Sequence, residues 1–138
     1  MAETAAQRLG IALGLSHGQR VAWVGLPAAL GILTIARRFA RSELAIRGRD
    51  LSPGPFDVIH IFSMSQGVLE AELPEARKRL APAGVIWVSW PAPKSAMPTD
   101  LDGDGVIRLA GETVLHPGQP APLDARWSML PLTIGAAS

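Results

Sequence analysis

Three stretches of the chain are apolar on consecutive positions rather than alternating. They are Arg20–Gly25 (RVAWVG), Phe56–Phe62 (FDVIHIF) and Val85–Trp90 (VIWVSW). Short apolar runs closed by Gly, Pro or Ser predict strands covered on both faces, the pattern of a parallel sheet between helices. The first should be the central strand. Between the second and third, Leu69, Leu73, Ala76 and Leu80 recur at helical spacing, with Glu70, Glu72, Glu75, Lys78 and Arg79 largely on other faces. Ser63 or Ser65 can cap that helix by accepting a backbone N–H. Pro74 is expected to restart the helix rather than sit inside it, and Ala81–Gly84 to form the turn that follows. Strand, helix, tight turn and strand make a crossover unit, parallel and right-handed in nearly all cases. Phe56–Trp90 therefore anchors a doubly wound α/β sheet.

The flanking elements are weaker. Thr4–Leu9 predicts a short helix and Leu15–Gln19 a turn. Pro27 suits a first helical position, where its missing N–H has no helical partner to lose, and Ala28–Ala40 continue at helical spacing. Glu43–Arg47 is a lesser strand and Arg49–Pro55 a loop. Thr99–Leu115 can hold a helix, weakened by Gly103, Gly105 and Gly111. His116–Pro122 reads as a proline-rich turn and Arg126–Ile134 as a final strand. Pro131 removes a ladder donor there and points to an edge position.

Composition removes several function classes. A chain of 138 residues fits one domain, residues 1–138, and 48% apolar with 18% charged residues suits a buried core rather than a disordered tail. Val21–Ala36 is an uncharged run followed by Arg37 and Arg38, but Gly25, Pro27 and Gly31 interrupt it, and Glu3 with Arg8 is a poor basic leader. No membrane association is expected. The net charge of +1 and a single dense basic cluster, Arg37, Arg38, Arg41, Arg47 and Arg49, read as a solvated face, so no nucleic-acid partner is expected. Absence of cysteine excludes disulfides, thiolate zinc sites and thiol catalysis and permits a reducing compartment; a cytoplasmic location is expected.

The segment FDVIHIFSMSQGVLEAELPEARKRLAPAGVIWVSW, Phe56 to Trp90, resembles the fourth strand, following helix and fifth strand of class I methyltransferases. More of the chain resembles an uncharacterised family of small bacterial domains of unknown function. That likeness rests on LGI (Leu9–Ile11), RVAWVG, GPFDVIHIF (Gly54–Phe62), LAPAGVIWVSWP (Leu80–Pro91), PTDL (Pro98–Leu101) and the pair Trp127 and Ser128. The resemblance implies a small, mostly parallel, doubly wound sheet of the methyltransferase-like Rossmann type, truncated, with an irregular C-terminal edge strand. It implies S-adenosylmethionine as the cofactor of the intact fold.

Two contacts to that cofactor depart from the pattern. A glycine-rich loop normally follows the first strand so that backbone N–H groups approach the ligand, whereas this chain has Gly25, Leu26, Pro27, Ala28 and Ala29. An acidic residue normally closes the second strand and grips the ribose, whereas Arg47 and Arg49 stand here, with Asp50 beyond them. The expectation is a module without bound S-adenosylmethionine, taking a small molecule or a protein partner. Exposed edge strands could also support a homodimer.

Ligands of open α/β sheets bind beyond the carboxyl ends of the strands, which selects Gly25, Leu26, Ser63, Ser65, Trp90 and Lys94 as a candidate crevice. Trp90 would form an aromatic wall and Lys94 an anion contact, or Trp90 would simply cap the core. An enzyme using the crevice near Gly25 and Trp90 is the alternative. Asp100, Asp102 and Asp104, with Gly105 and Ile107, imitate the first half of a calcium loop, but Glu112 falls one residue late to close it. Helix capping by Asp100 or Asp102 accounts for the same residues. His17, His60 and His116 lack metal-ligand spacing. Asp57, His60 and Ser63 make no triad, since Asp57 and His60 point to opposite faces and no GxSxG turn is present. No catalytic residue is assigned.

Overall fold

Thr4 opens the first helix, α1 (Ala5–Ala12), with a capping box in which its hydroxyl accepts from Gln7 N and the Gln7 side chain accepts from Thr4 N. The structure, a computed structural model, describes residues 4–135; Glu3 lies outside them. The remaining elements are β1 (Arg20–Val24), β2 (Arg41–Ala45), β3 (Phe56–Phe62), α2 (Gln66–Arg79), β4 (Leu80–Pro91), α3 (Gly103–Glu112), β5 (His116–Pro117), β6 (Ala121–Pro122) and β7 (Trp127–Thr133). The strands form one sheet in the order β2-β1-β3-β4-β7-β5, with β6 also on β7. β1 to β4 are mutually parallel, and β7 returns antiparallel to β4. β1 is an inner strand, while β3 and β4 hold the middle of the sheet.

Side-chain alternation along each strand divides the core. One face presents Ala22, Val24, Ile59, Ile61, Ile86 and Val88 to Leu69, Leu73 and Ala76 of α2 and to Val106, Leu109 and Ala110 of α3. The other presents Val21, Trp23, Val58 and Phe62 to Leu13, Leu15, Leu30 and Leu33. Because both faces are covered, the central strands carry apolar residues at consecutive positions. At the amino end of the sheet, Asp57 clamps β3 to β1. It accepts from Arg20 N at 2.8 Å and pairs with the guanidinium at 3.1 and 3.2 Å.

Four local expectations are corrected. Ala28–Ala40 is not an α-helix. Pro27 is extended (ψ 142°) and leads into a 3₁₀ segment, Ala28–Ile35, broken at Leu30 (φ −106°, ψ 16°). Gly31 and the β-branched Ile32, Thr34 and Ile35 weaken α-helix there, and Thr34 returns its hydroxyl to Gly31 O. Pro74 sits inside α2. Both Pro74 and Glu70 are exposed, so the carbonyl that the proline leaves unpaired faces water. Ala81–Gly84 is an extended bulge within β4 rather than a separate turn, since Phe56 is level with Leu80 but Val58 with Val85. β2 spans Arg41–Ala45, beginning and ending two residues before the predicted Glu43–Arg47, so that Ile46 and Arg47 follow the strand. The last long strand, β7, has only the two-residue β5 and β6 against its outer side, and Pro131 N, opposite Trp87, leaves no donor to miss there.

Candidate functional site

The carboxyl ends of the parallel strands lie on one rim, and the predicted crevice residues all reach it, but they do not converge. Gly25 and Leu26, after β1, line a cleft of about 350 Å³ together with Leu44, Ala45 and Ile46 from the end of β2. Trp90, near the end of β4, and Lys94, after it, line a separate cleft of about 440 Å³ with Ala92, Pro93, Pro120, Ala121, Pro122, Ala125 and Ser128. Ser63 and Ser65 stand at the end of β3 and line neither. The β3 strand lies between the ends of β1 and β4, which sets those ends about 10 Å apart at ordinary strand spacing.

The serines at the end of β3 and the acidic side chain of β2 have structural partners. The buried Ser63 hydroxyl donates to Ser65 O at 3.0 Å and accepts from Ser65 N at 3.2 Å. The Ser65 hydroxyl accepts from Val68 N and caps α2, as one of the two predicted alternatives. Gly25 has φ +70°, and a Cβ there would stand 3.0 Å from Phe62 O, so close approach of β1 to β3 requires glycine at this position. Leu26 projects into the β1–β2 cleft, whose five lining residues bear no hydrogen-bonding side chain. Pro27 supplies no N–H, and Leu30 N is taken by Pro27 O. The nearest acidic side chain along β2, Glu43, turns to Ser52, accepting from its N at 2.9 Å and its hydroxyl at 2.6 Å, and pairs with Arg41 at 2.8 Å.

Trp90 is 4% exposed and belongs to the core cluster with Leu101 and Val106, so only an edge of it meets the cleft. Lys94 is exposed and is the single charged residue of that lining. The aspartates are split among separate tasks. Asp102 caps α3, accepting from Gly105 N at 2.8 Å; Asp100 accepts from Gln66 N at 2.7 Å; and Asp104 lies in the first turn of α3. Among the described residues no cluster of three or more His, Asp or Glu side chains is placed to hold a metal ion.

His60 is buried, and its Nε2 lies 2.8 Å from Ser89 Oγ while its ring stacks on Phe62 at 4.1 Å. Burial drives its pKa down to about 3, so the imidazole is neutral. This pair sits inside the sheet, away from either cleft, and does no chemistry on a solvent-borne substrate. Asp57 is committed to Arg20, whose hydrogen bonds hold the carboxylate below its ordinary range. Sequence reasoning missed Leu44 and Ile46 and the wall Pro120–Pro122. The run ELAIR carried a signal for the first, two large apolar residues flanking an alanine in a strand otherwise polar.

No protein-family model matches the chain, and no curated protein matches it. Solved structures do. A S-adenosylmethionine-dependent methyltransferase from Aquifex aeolicus is similar at a TM-score of 0.73 and 12% identity, covering 95% of this chain and 90% of that one. Ribosomal protein L11 methylase from Lactobacillus delbrueckii subsp. bulgaricus is similar at a TM-score of 0.63 and 18% identity, over 93% and 76% of the two chains. Fibrillarin from Aeropyrum pernix, solved with natively bound S-adenosyl-L-methionine, is similar at 0.62 and 15%, over 93% and 76%. Among the described residues no helix is long and apolar enough to cross a membrane. The chain has the Rossmann-like α/β fold of the S-adenosylmethionine-dependent methyltransferases.

Proposed function

We propose that this chain is a non-catalytic methyltransferase-fold module that does not hold S-adenosylmethionine and uses the rim of its sheet to bind a partner. The observation that carries the reading is the turn after β1. A bound nucleoside needs donors and acceptors for its amino-acid end and its ribose, and the β1–β2 cleft offers Gly25, Leu26, Leu44, Ala45 and Ile46. Pro27 and the broken 3₁₀ segment replace the helix start whose N–H groups would otherwise face the ligand. The absence of a carboxylate or other hydrogen-bonding side chain from the β1–β2 lining supports this reading. Calorimetric titration with S-adenosylmethionine and S-adenosylhomocysteine is expected to give no heat at micromolar concentrations. Micromolar binding of either would overturn the reading.

A second reading is favoured by the β4–β7 cleft alone. Its volume, about 440 Å³, falls in the range of ~300–1,000 Å³ usual for small-molecule sites, and its walls are apolar with one cation. Such a site suits a small planar anion, and a thermal shift with an aromatic carboxylate that disappears in Lys94→Ala would support it.

A further inference from the structure

We propose that β2 is a self-complementary edge through which two copies of this chain join their sheets into one. The inference rests on the reading of the β1–β2 end as a surface for a partner rather than a cofactor. The two edges of the sheet are built differently. One ends in β5 and β6, two residues each, and each closes on a proline, Pro117 and Pro122, which is how an edge is blunted against further pairing. The other is β2, five residues without proline, paired on one side only.

The unblunted edge is also the apolar one. Leu44 is 63% exposed and Ile46 is 82% exposed, the latter the most exposed of the large apolar side chains among the described residues. Leu44 is level with Trp23 and so projects on the sheet face that the 3₁₀ segment covers, and Ile46 follows directly on the end of β2, ahead of the extended Arg47 (φ −122°, ψ 139°). That segment presents Ile35, itself 74% exposed. Three large apolar residues are thus offered to solvent from the β2 edge and the layer above it.

The run Glu43-Leu44-Ala45-Ile46-Arg47 specifies how a second copy fits. An antiparallel pairing about a two-fold axis through Ala45 sets Leu44 opposite Ile46 of the second copy, Glu43 opposite its Arg47, and Ala45 opposite its counterpart. Apolar meets apolar on one face and opposite charges meet on the other. Three other registers that keep the sheet faces aligned match less well, and an axis through Ile46 would run the pairing into the 3₁₀ turn Gly48–Asp50. An axis through Leu44 opposes Arg41 to Arg47, and one through Glu43 opposes the two glutamates. An axis through Ser42 matches Arg41 with Glu43 but leaves Ile46 uncovered. Among the described residues Arg47 makes no ion pair, so its guanidinium is available to the second copy, and it would join Arg41 and Ser52 as a further partner of the Glu43 carboxylate. A strand pair this short covers less than the ~800 Å² per partner of a standard stable interface, so the dimer should dissociate on dilution.

The chain has no cysteine, which makes the register directly testable. In Ala45→Cys the two thiols would face each other across the axis, with Cβ atoms about 4.5–5.5 Å apart, close enough to oxidise to a disulfide with slight adjustment. In Ser42→Cys they would lie about 20 Å apart. In sedimentation equilibrium the wild-type mass is expected to rise with concentration from 14.6 kDa toward twice that value, and Ile46→Glu to remain at the monomer mass. Mild oxidation is expected to cross-link Ala45→Cys and leave Ser42→Cys monomeric. A wild type that stays monomeric at its highest soluble concentration, an Ile46→Glu variant that associates equally well, or cross-linking of Ser42→Cys in place of Ala45→Cys overturns the inference. Titrating S-adenosylmethionine into the same samples separates the two ideas. A dimer that binds it overturns only the non-cofactor reading, and a monomer that does not bind it overturns only the strand pairing.

Discussion

Replacing His60 by glutamine should make the protein less sensitive to mild acid. His60 is 1% exposed, and its neighbours are the Ser89 hydroxyl at 2.8 Å and the Phe62 ring at 4.1 Å. Burial lowers its pKa from 6.5 to about 3, because the imidazolium would lose its water without gaining a counter-charge. Between those values the unfolded chain holds a proton that the folded chain does not. Stability is therefore complete above the unfolded pKa and falls as pH drops through the window, at up to ~1.4 kcal/mol per pH unit. From pH 7 to pH 5 the loss comes to about 2 kcal/mol. Carboxylates with ordinary pKa values near 4 are mostly ionised in both states over that interval and add little. Glutamine keeps a polar partner for Ser89 without a titrating proton. Urea unfolding of wild type and His60→Gln at pH 7 and pH 5 should show the 2 kcal/mol loss in the wild type alone. Equal losses in both proteins would refute the account of His60 as a neutral buried group.

Other substitutions test the assignments on the rim. Gly25→Ala should cost about 1–2 kcal/mol in urea unfolding, because it forces a Cβ into the left-handed region and 3.0 Å from Phe62 O; an unchanged midpoint would mean that the turn after β1 can relax. Asp102→Ala should cost about 1 kcal/mol by removing the cap on α3, and a chelator should leave the melting temperature of the wild type unaltered; a chelator-dependent melt abolished by this variant would instead restore the calcium loop. Trp90→Ala should cost about 3–5 kcal/mol as a core truncation, measured by the same unfolding curves, and a loss below 1 kcal/mol would return Trp90 to the role of a cleft wall.

What the sequence disclosed follows from which physical signal each segment carries. Phe56–Phe62 was read with the bounds it has, since burial on both faces leaves an unbroken apolar run with a turn on either side. Ala28–Ala40 was misread, because apolar spacing at helical intervals cannot distinguish an α-helix from a shorter 3₁₀ segment once Pro27, Gly31 and β-branched residues weaken the α form. The candidate crevice was legible residue by residue but not as a whole. Placing Gly25 and Trp90 on one rim needs only the parallel strand pattern, whereas bringing them into one site needs adjacent strands, and β3 stands between. The apolar character of Ile46 is plain in the run ELAIR, but its exposure is not. Alternation in Glu43–Arg47 reports which residues share a face, and it cannot report whether a further strand lies beyond β2. On an inner strand Leu44 would be ordinary core, as Trp23 is beside it. Here the sheet stops, and two residues of core character are left on an edge with no proline to close it. The cleft beyond β1 and the edge proposed to accept another strand thus share Leu44, Ala45 and Ile46. Under the proposed pairing, the apolar Leu44 and Ile46 and the oppositely charged Glu43 and Arg47 are the residues that meet their counterparts in the second copy.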